Sequence, residues 1–355
     1  ELLKDLAALG AECHILLARG KPYERGVAGW TVHPVWPSKG LRWYVTPFVW
    51  PRVIKRVWDT HPFDLLRAHS VRFVGPAALL ARRRYRLPVP VVTHHHHLDP
   101  SPLNPLIEKR VLEASDRVIT DSQFARRQLA DELGIGTDRV EVVYCGVGPK
   151  YAPMPKDPTL VGRWGLHGKQ VLLCLGPLIH RKNPFFLLEA FAEIRRAAPA
   201  PVALVWVGAG PLRRELDALA RRLGLDGAVV FTGYVPEAEK VAVLNLADVF
   251  VFPSLLEGFP LAPQEAMSCG KPVVAFRVAS LPEMIEEGRS GFLVERNDRP
   301  AFIDRVLRLL GDRALLASFG AAAAERVDRC FRWDLTVRQV LKVYQEVVDE
   351  FRRGR

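Results

Sequence analysis

Two rhythms alternate along the second half of the chain. Short apolar runs rich in β-branched residues fall at 171–175, 202–207, 228–232, 249–253 and 273–276. Segments of helical period fill the gaps, at 184–197, 212–223, 236–246 and 260–269. Short strands separated by helix-length segments predict a mostly parallel sheet covered on both faces. The first half repeats the alternation more loosely. Helices are expected at 2–9, 75–84, 105–114 and 122–133, and strands at 12–17, 64–68, 89–94, 117–120 and 140–144. A long amphipathic helix, 334–351, closes the chain.

The stretch from Gly146 to Pro158 holds four prolines and two glycines, which break any regular element, so it reads as a linker. The expected organisation is an N-terminal Rossmann-like domain over 1–150, a second over 163–330 and a C-terminal helix over 331–355. The class is α/β, two Rossmann-like domains facing a cleft. Domains of this kind normally open with a central strand and a glycine-rich turn. Residue 1 already lies in what reads as a helix, so the first strand and its loop are expected to be missing.

Composition narrows the class. Apolar residues make up 49% of 355 and charged residues 25%, ordinary for a globular protein. No apolar run approaches the roughly 20 residues of a membrane span. Five scattered cysteines without a CxxC pair suggest reduced thiols and a cytoplasmic setting. The net charge of +11 is uneven: 24 Lys+Arg stand against 16 Asp+Glu up to residue 163, and 26 against 23 beyond it. A basic first half suits an anionic membrane or acidic substrate, or is a solvated arginine-rich surface. No nucleic-acid recognition motif accompanies it, so no nucleic-acid partner is expected. Trp50, Arg52, Lys55, Arg56 and Trp58 interleave aromatic and basic side chains. They fit either a helix lying on an anionic membrane or one with a buried tryptophan and a wet basic face.

The richest chemistry lies in Glu257-Gly-Phe-Pro-Leu-Ala-Pro-Gln-Glu265. It joins an expected strand to an expected helix and carries two carboxylates. A helix start offers unpaired N–H groups and partial positive charge, a seat for phosphate. Pro260 suits the first helical position, where its missing N–H has no partner to lose. Earlier, Gly176-Pro-Leu-Ile-His-Arg181-Lys182 places two cations after another strand. His94–His97 form a run of four histidines. Alternate members share a face, and with Asp99 they invite a zinc reading, though a further ligand at suitable spacing is not evident.

These motifs, with Val205–Leu212 and Val230–Val235, resemble the retaining GT-B glycosyltransferases of the large family that includes bacterial mannosyl- and glucosyltransferases (glycosyltransferase family 4-like, glycosyl transferases group 1). The resemblance spans nearly the whole chain and is strongest over 170–295. Its hallmark is the pair of glutamates, here Glu257 and Glu265. It implies that Glu257 faces the donor sugar and Glu265 the nucleotide's ribose. Backbone around Gly258, Phe259, Pro260 and Leu261 holds the diphosphate, and Lys182 is the leaving-group cation. Pro177 stands where the family has an arginine, with Arg181 as its substitute. His95 aligns with a histidine that touches the donor sugar, with a shift of one open. Residues 231–235 fall where the base packs. Asp121 and Ser122 match a serine-containing turn, and Ser122 equally suits a helix cap. No role is assigned to 279–283.

The implied reaction moves a hexosyl unit from a nucleoside-diphosphate sugar to a hydroxyl acceptor, a glycan or a lipid-linked one, with retention of configuration. It needs no metal and no cofactor beyond the co-substrate. Such an enzyme is expected in the cytoplasm, peripheral on the inner membrane face. Two alternatives stay open at this point: a GT-B phosphorylase or epimerase, and a catalytically silent truncated relative that binds a partner.

Overall fold

The structure, a computed structural model, describes residues 2–18, 29–35, 42–96 and 104–354. The chain divides into two compact units, Glu1–Tyr144 with Leu335–Arg355, and Cys145–Asp334. His97 and Asp99, invoked above for zinc, lie outside the described residues.

In the first unit, β1 (Cys13–Ala18) and β2 (Trp30–Val35) form a parallel pair. A separate parallel sheet runs in the order β3 (Leu66–Ala68), β4 (Val91–His95), β5 (Arg117–Thr120) and β6 (Val140–Val142). Every residue of β4 is buried, as an interior strand covered on both faces requires. The helix Arg42–Thr60 carries Pro47 and Pro51 within it. Trp50 is buried while Arg52 and Arg56 are exposed, so this helix has a buried tryptophan and a basic outer face.

The second unit is a six-stranded parallel sheet. Its strands are β7 (Gln170–Leu175), β8 (Val202–Val207), β9 (Val229–Gly233), β10 (Val249–Phe252), β11 (Val273–Phe276) and β12 (Gly291–Val294). Their order across the sheet is β12-β11-β10-β7-β8-β9. Trp206, Phe191, Phe276 and Phe302 are buried between sheet and helices. Helix starts at Pro158, Arg299 and Arg313 are capped by Asp157, Asp298 and Asp312, whose carboxylates accept first-turn N–H groups.

Three differences from the sequence expectations have physical causes. The closing helix Trp333–Arg353 belongs mainly to the first unit: Arg352 pairs with Asp64 at 2.6 Å, Glu350 with Arg117 at 2.5 Å, and Thr336 Oγ1 donates to the Tyr144 carbonyl. The proline-rich segment after Gly146 is docked on the second unit rather than free. Tyr151 is buried, and Asn245 receives the Met154 N–H and donates to the Ala152 carbonyl. Pro260 is the N-cap, not the first helical residue, because its ψ of 127° is extended. Its missing N–H is still one that the helix leaves unpaired.

Candidate active site

The strand order reverses between β7 and β10. From β7 the chain winds outward through β8 and β9, and from β10 outward through β11 and β12. Loops leaving the carboxyl ends of two such strands diverge and leave a crevice, the usual ligand position in open α/β sheets. The loop after β7 carries Arg181 and Lys182, and the loop after β10 carries Glu257. Both sequence motifs therefore arrive at one switch point.

Close packing of glycines builds the floor. Added side-chain carbons at Gly208 and Gly210 would fall inside contact distance of the Gly176 and Leu178 carbonyl oxygens. The loop after β8 thus lies directly against the loop after β7. Gly176 N–H donates to the Val207 carbonyl at 2.9 Å, Leu178 N–H to the Ala209 carbonyl at 3.1 Å, and Trp206 Nε1 to the Gly176 carbonyl at 2.9 Å. Gly176 itself leaves room for the Lys182 stem: a carbon added there would stand 3.2 Å from Lys182 Cε.

Glu257 is the centre of the polar cluster and only 7% exposed. Its Oε1 accepts from Lys182 Nζ at 2.6 Å and lies against the Ser254 hydroxyl. Its Oε2 accepts from Arg181 Nη1 at 3.0 Å. Arg181 is held by a second bond to the Leu256 carbonyl, 2.7 Å. Lys182 Nζ also sits 4.5 Å from the centroid of Phe252, in cation–π range. Arg181 and Lys182 therefore converge on one carboxylate. Lys182 is only 8% exposed, and Glu257 is its ion-pair partner in that buried position. The Cys174 thiol beneath them is pushed up to about 12 by burial.

Four residues beyond Glu257 the helix Leu261–Ser268 begins. Helical geometry leaves the first-turn N–H groups of Leu261 and Ala262 without intrahelical acceptors, and Leu261 is exposed. The loop before the helix is fixed from behind: Ser280 Oγ donates to the Gly258 carbonyl at 2.5 Å. Ser280 falls in the stretch to which the sequence assigned no role. A buried serine after a left-handed alanine (Ala279, φ 49°) is its only local signal.

Glu265 lies on the same helix, buried, and Lys240 Nζ donates to its Oε1 at 2.6 Å. Lys240 is also 5.6 Å from the centroid of Tyr151, whose hydroxyl donates to Glu237 at 2.8 Å. Burial, then the neighbouring charge of Glu265, pushes the Tyr151 phenol well above its usual range. Lys240 and Tyr151 were not singled out in the sequence, because their spacing to Glu265 carries no local pattern. Residues 231–235 surround the end of β9, where Arg213 stacks 5.0 Å from the Phe231 centroid and Tyr234 is exposed.

In the first unit, His95 is 1% exposed. His94 and His96, on the opposite face of the strand line, meet Asp121 instead: His94 Nε2 lies 2.8 Å and His96 Nδ1 2.6 Å from its two oxygens. Ser122 is a helix N-cap, its Oγ accepting the Ala125 N–H at 3.0 Å. Burial raises the Asp121 carboxyl, but the hydrogen bonds from His94 and His96 outweigh it and hold it well below the usual range.

Comparison with known proteins agrees with this architecture. Residues 1–151 match the family model described as Glycosyltransferase Family 4, and residues 169–312 the one described as Glycosyl transferases group 1. The chain is 32% identical over 283 residues to the GDP-mannose-dependent alpha-(1-6)-phosphatidylinositol monomannoside mannosyltransferase of Mycolicibacterium smegmatis, covering 76% of this chain and 73% of that one. It is 31% identical over 337 residues to a D-inositol 3-phosphate glycosyltransferase of Nocardioides, covering 86% and 73%. Among solved structures, sucrose-phosphate synthase of Thermosynechococcus elongatus superposes with a TM-score of 0.81 at 22% identity, over 98% of this chain and 92% of that one. Anabaena HepE in complex with UDP superposes with a TM-score of 0.76 at 23% identity, over 90% and 86%. The matching family models and named relatives, together with the fold of the solved neighbours, identify a glycosyltransferase of the GT-B fold. The chain belongs to the family described as glycosyltransferase family 4 and glycosyl transferases group 1. Among the described residues, no helix is long and apolar enough to cross a membrane.

Proposed function

We propose that this glycosyltransferase moves a hexosyl unit from a nucleoside-diphosphate sugar to a hydroxyl acceptor with retention of configuration, without a metal in the transfer step. The observation that carries the reading is the convergence of Lys182 and Arg181 on Glu257 beside the start of Leu261–Ser268. As the glycosidic bond breaks, negative charge grows on the departing diphosphate. Lys182, Arg181 and the backbone of Gly258, Phe259 and Leu261 stabilise that charge; Pro260 has no N–H and sets the direction of the chain.

Glu257 orients sugar hydroxyls rather than attacking. Three donors occupy three of its roughly four acceptor positions, which makes it a poor nucleophile and leaves one position for a sugar hydroxyl. The leaving phosphate then takes the acceptor's proton on the face it departs from, so no protein nucleophile is nominated. Glu265 receives the ribose hydroxyls, with Lys240 as the group it exchanges. His95 is the nominated sugar-contacting histidine of the first unit. Its enclosure makes His96 the informative control, so His95→Ala and His96→Ala are compared for donor KM.

The acceptor is a glycan or lipid-linked hydroxyl. Phe48, 71% exposed on the helix that presents Arg52 and Arg56, supports contact with an anionic membrane surface on the cytoplasmic side. The relatives act on phosphatidylinositol mannoside or inositol phosphate by name, which gives the acceptor panel a starting point. The test is a screen of UDP- and GDP-sugars with inositol phosphate and phosphatidylinositol acceptors, the product's anomeric configuration being read by NMR. A product with the donor's configuration is expected. Inversion sinks the mechanism, and no turnover with any donor, together with no rise in Tm by UDP or GDP, sinks the assignment.

A further inference from the structure

The loops at the carboxyl ends of β3, β4 and β5 bring together a cluster that sugar transfer in the second unit does not use. His69 follows β3, His94 is the penultimate residue of β4 with His96 just beyond the strand, and Asp121 follows β5. The parallel register sets this up: Ala68 pairs with Thr93 and His95 with Thr120, which puts His69 beside His94 and His96 beside Asp121. One ligand nitrogen from each of the three histidines lies within 4.8 Å of the others. His69 and His96 rings meet edge-on at 4.7 Å, and His94 stacks on His96 at 4.3 Å.

Two further contacts define the chemistry. Asp121 holds one nitrogen of His94 and one of His96, leaving the other nitrogen of each to a ligand, the arrangement by which carboxylates orient metal-binding imidazoles. The Arg67 guanidinium reaches into the same place. Its Nη2 lies 2.9 Å from His94 Nδ1 and 3.2 Å from His69 Nδ1. Arginine is always a donor, so both imidazole lone pairs point at one spot already filled by a cationic nitrogen. That is what a cation-binding site looks like with an internal cation in it.

We propose that His69, His94 and His96 form a site for one Zn²⁺-class cation, with Asp121 orienting two of the ligands and Arg67 as the group the metal displaces. Three imidazoles and one open position suit zinc. Tetrahedral ligands about 2.05 Å from the ion stand about 3.3 Å apart, so the imidazoles close by roughly 1.5 Å through side-chain rotation. The ion ties the ends of β3 and β4 together directly and that of β5 through Asp121.

The full chain, stripped with EDTA, is titrated with ZnCl₂ against a chromophoric chelator of micromolar affinity, and with Co²⁺ to read its visible d–d bands. One Zn²⁺ per chain, an EDTA-reversible rise in Tm and a tetrahedral Co²⁺ spectrum are expected. His69 is exposed and lies outside the four-histidine run, so His69→Ala, or His69→Gln should the first variant not fold, separates this site from binding by the run alone. It is expected to lose at least about 100-fold in affinity, Asp121→Asn about 10–100-fold. Arg67→Met is expected to tighten binding by roughly tenfold or more, since a like charge leaves. Unchanged affinity in the His69 variant, or no binding by the folded wild-type chain, overturns the proposal.

Discussion

Replacing Lys182 by methionine tests the electrostatic core of the site. The substitution keeps most of the apolar stem that fills the space beside Gly176 and removes the charge 2.6 Å from Glu257. Removing one partner of a buried ion pair costs about 3–5 kcal/mol, because the other charge stays buried. Here Arg181 and the Ser254 hydroxyl still reach Glu257, so the lower end, about 3 kcal/mol, is expected. For a unit of this size that is a fall in Tm of roughly 6–12 °C. Glu257→Gln strands Lys182 in the same way. The double variant leaves neither charge, so its loss is expected to be smaller than the sum of the singles by about 2–3 kcal/mol. Urea unfolding of the four proteins measures this, and kcat/KM for Lys182→Met is expected to drop about 10²–10³-fold. Additivity within about 0.5 kcal/mol refutes the coupling. A kcat/KM within threefold of wild type refutes Lys182 as the leaving-group cation.

Gly208→Ala places a methyl on the Gly176 carbonyl at a residue with φ of 139°; the expected outcome is loss of about 3 kcal/mol or more and of donor binding, checked by thermal melts with and without UDP or GDP. Ser280→Ala frees the Gly258 carbonyl and is expected to cost about 1–2 kcal/mol and to raise the donor KM more than it lowers kcat; the reverse split contradicts a positioning role. Burial holds the Cys174 and Cys269 thiols up to about 12 and about 11, against 9.0 for a free thiol. The folded chain keeps these protons while the unfolded chain loses them, so stability falls as pH rises from 9 toward 11, by up to about 1.4 kcal/mol per pH unit for each thiol. Urea midpoints across that range measure the fall, and Ala at both positions is expected to flatten it. In the folded protein at pH 8 both thiols are expected to resist DTNB.

Much of the second unit was legible because most of its strands are buried apolar runs and two of its predicted helices, Pro184–Ala197 and Leu261–Ser268, start at or just after a proline. The EGFP segment was legible because helix-start chemistry is local. What escaped depends on distance along the chain. β12 opens on a glycine and offers only three apolar residues. Lys240 reaches Glu265, and Ser280 reaches Gly258, only once the sheet has formed. His69 joins His94 and His96 through strand register, which no window of sequence contains. The closing helix was recognised from its amphipathic period, but period names no partner; ion pairs to Asp64 and Arg117 do.

That last attachment bears on how the protein is made. Residues up to Tyr144 leave the ribosome first, yet the unit they belong to stays without its final helix until Leu335 and its successors emerge. The uninterrupted span Cys145–Asp334 holds the whole six-stranded sheet of the second unit. The second unit can therefore be completed from a continuous stretch of chain, whereas the first unit must bring together segments on either side of it.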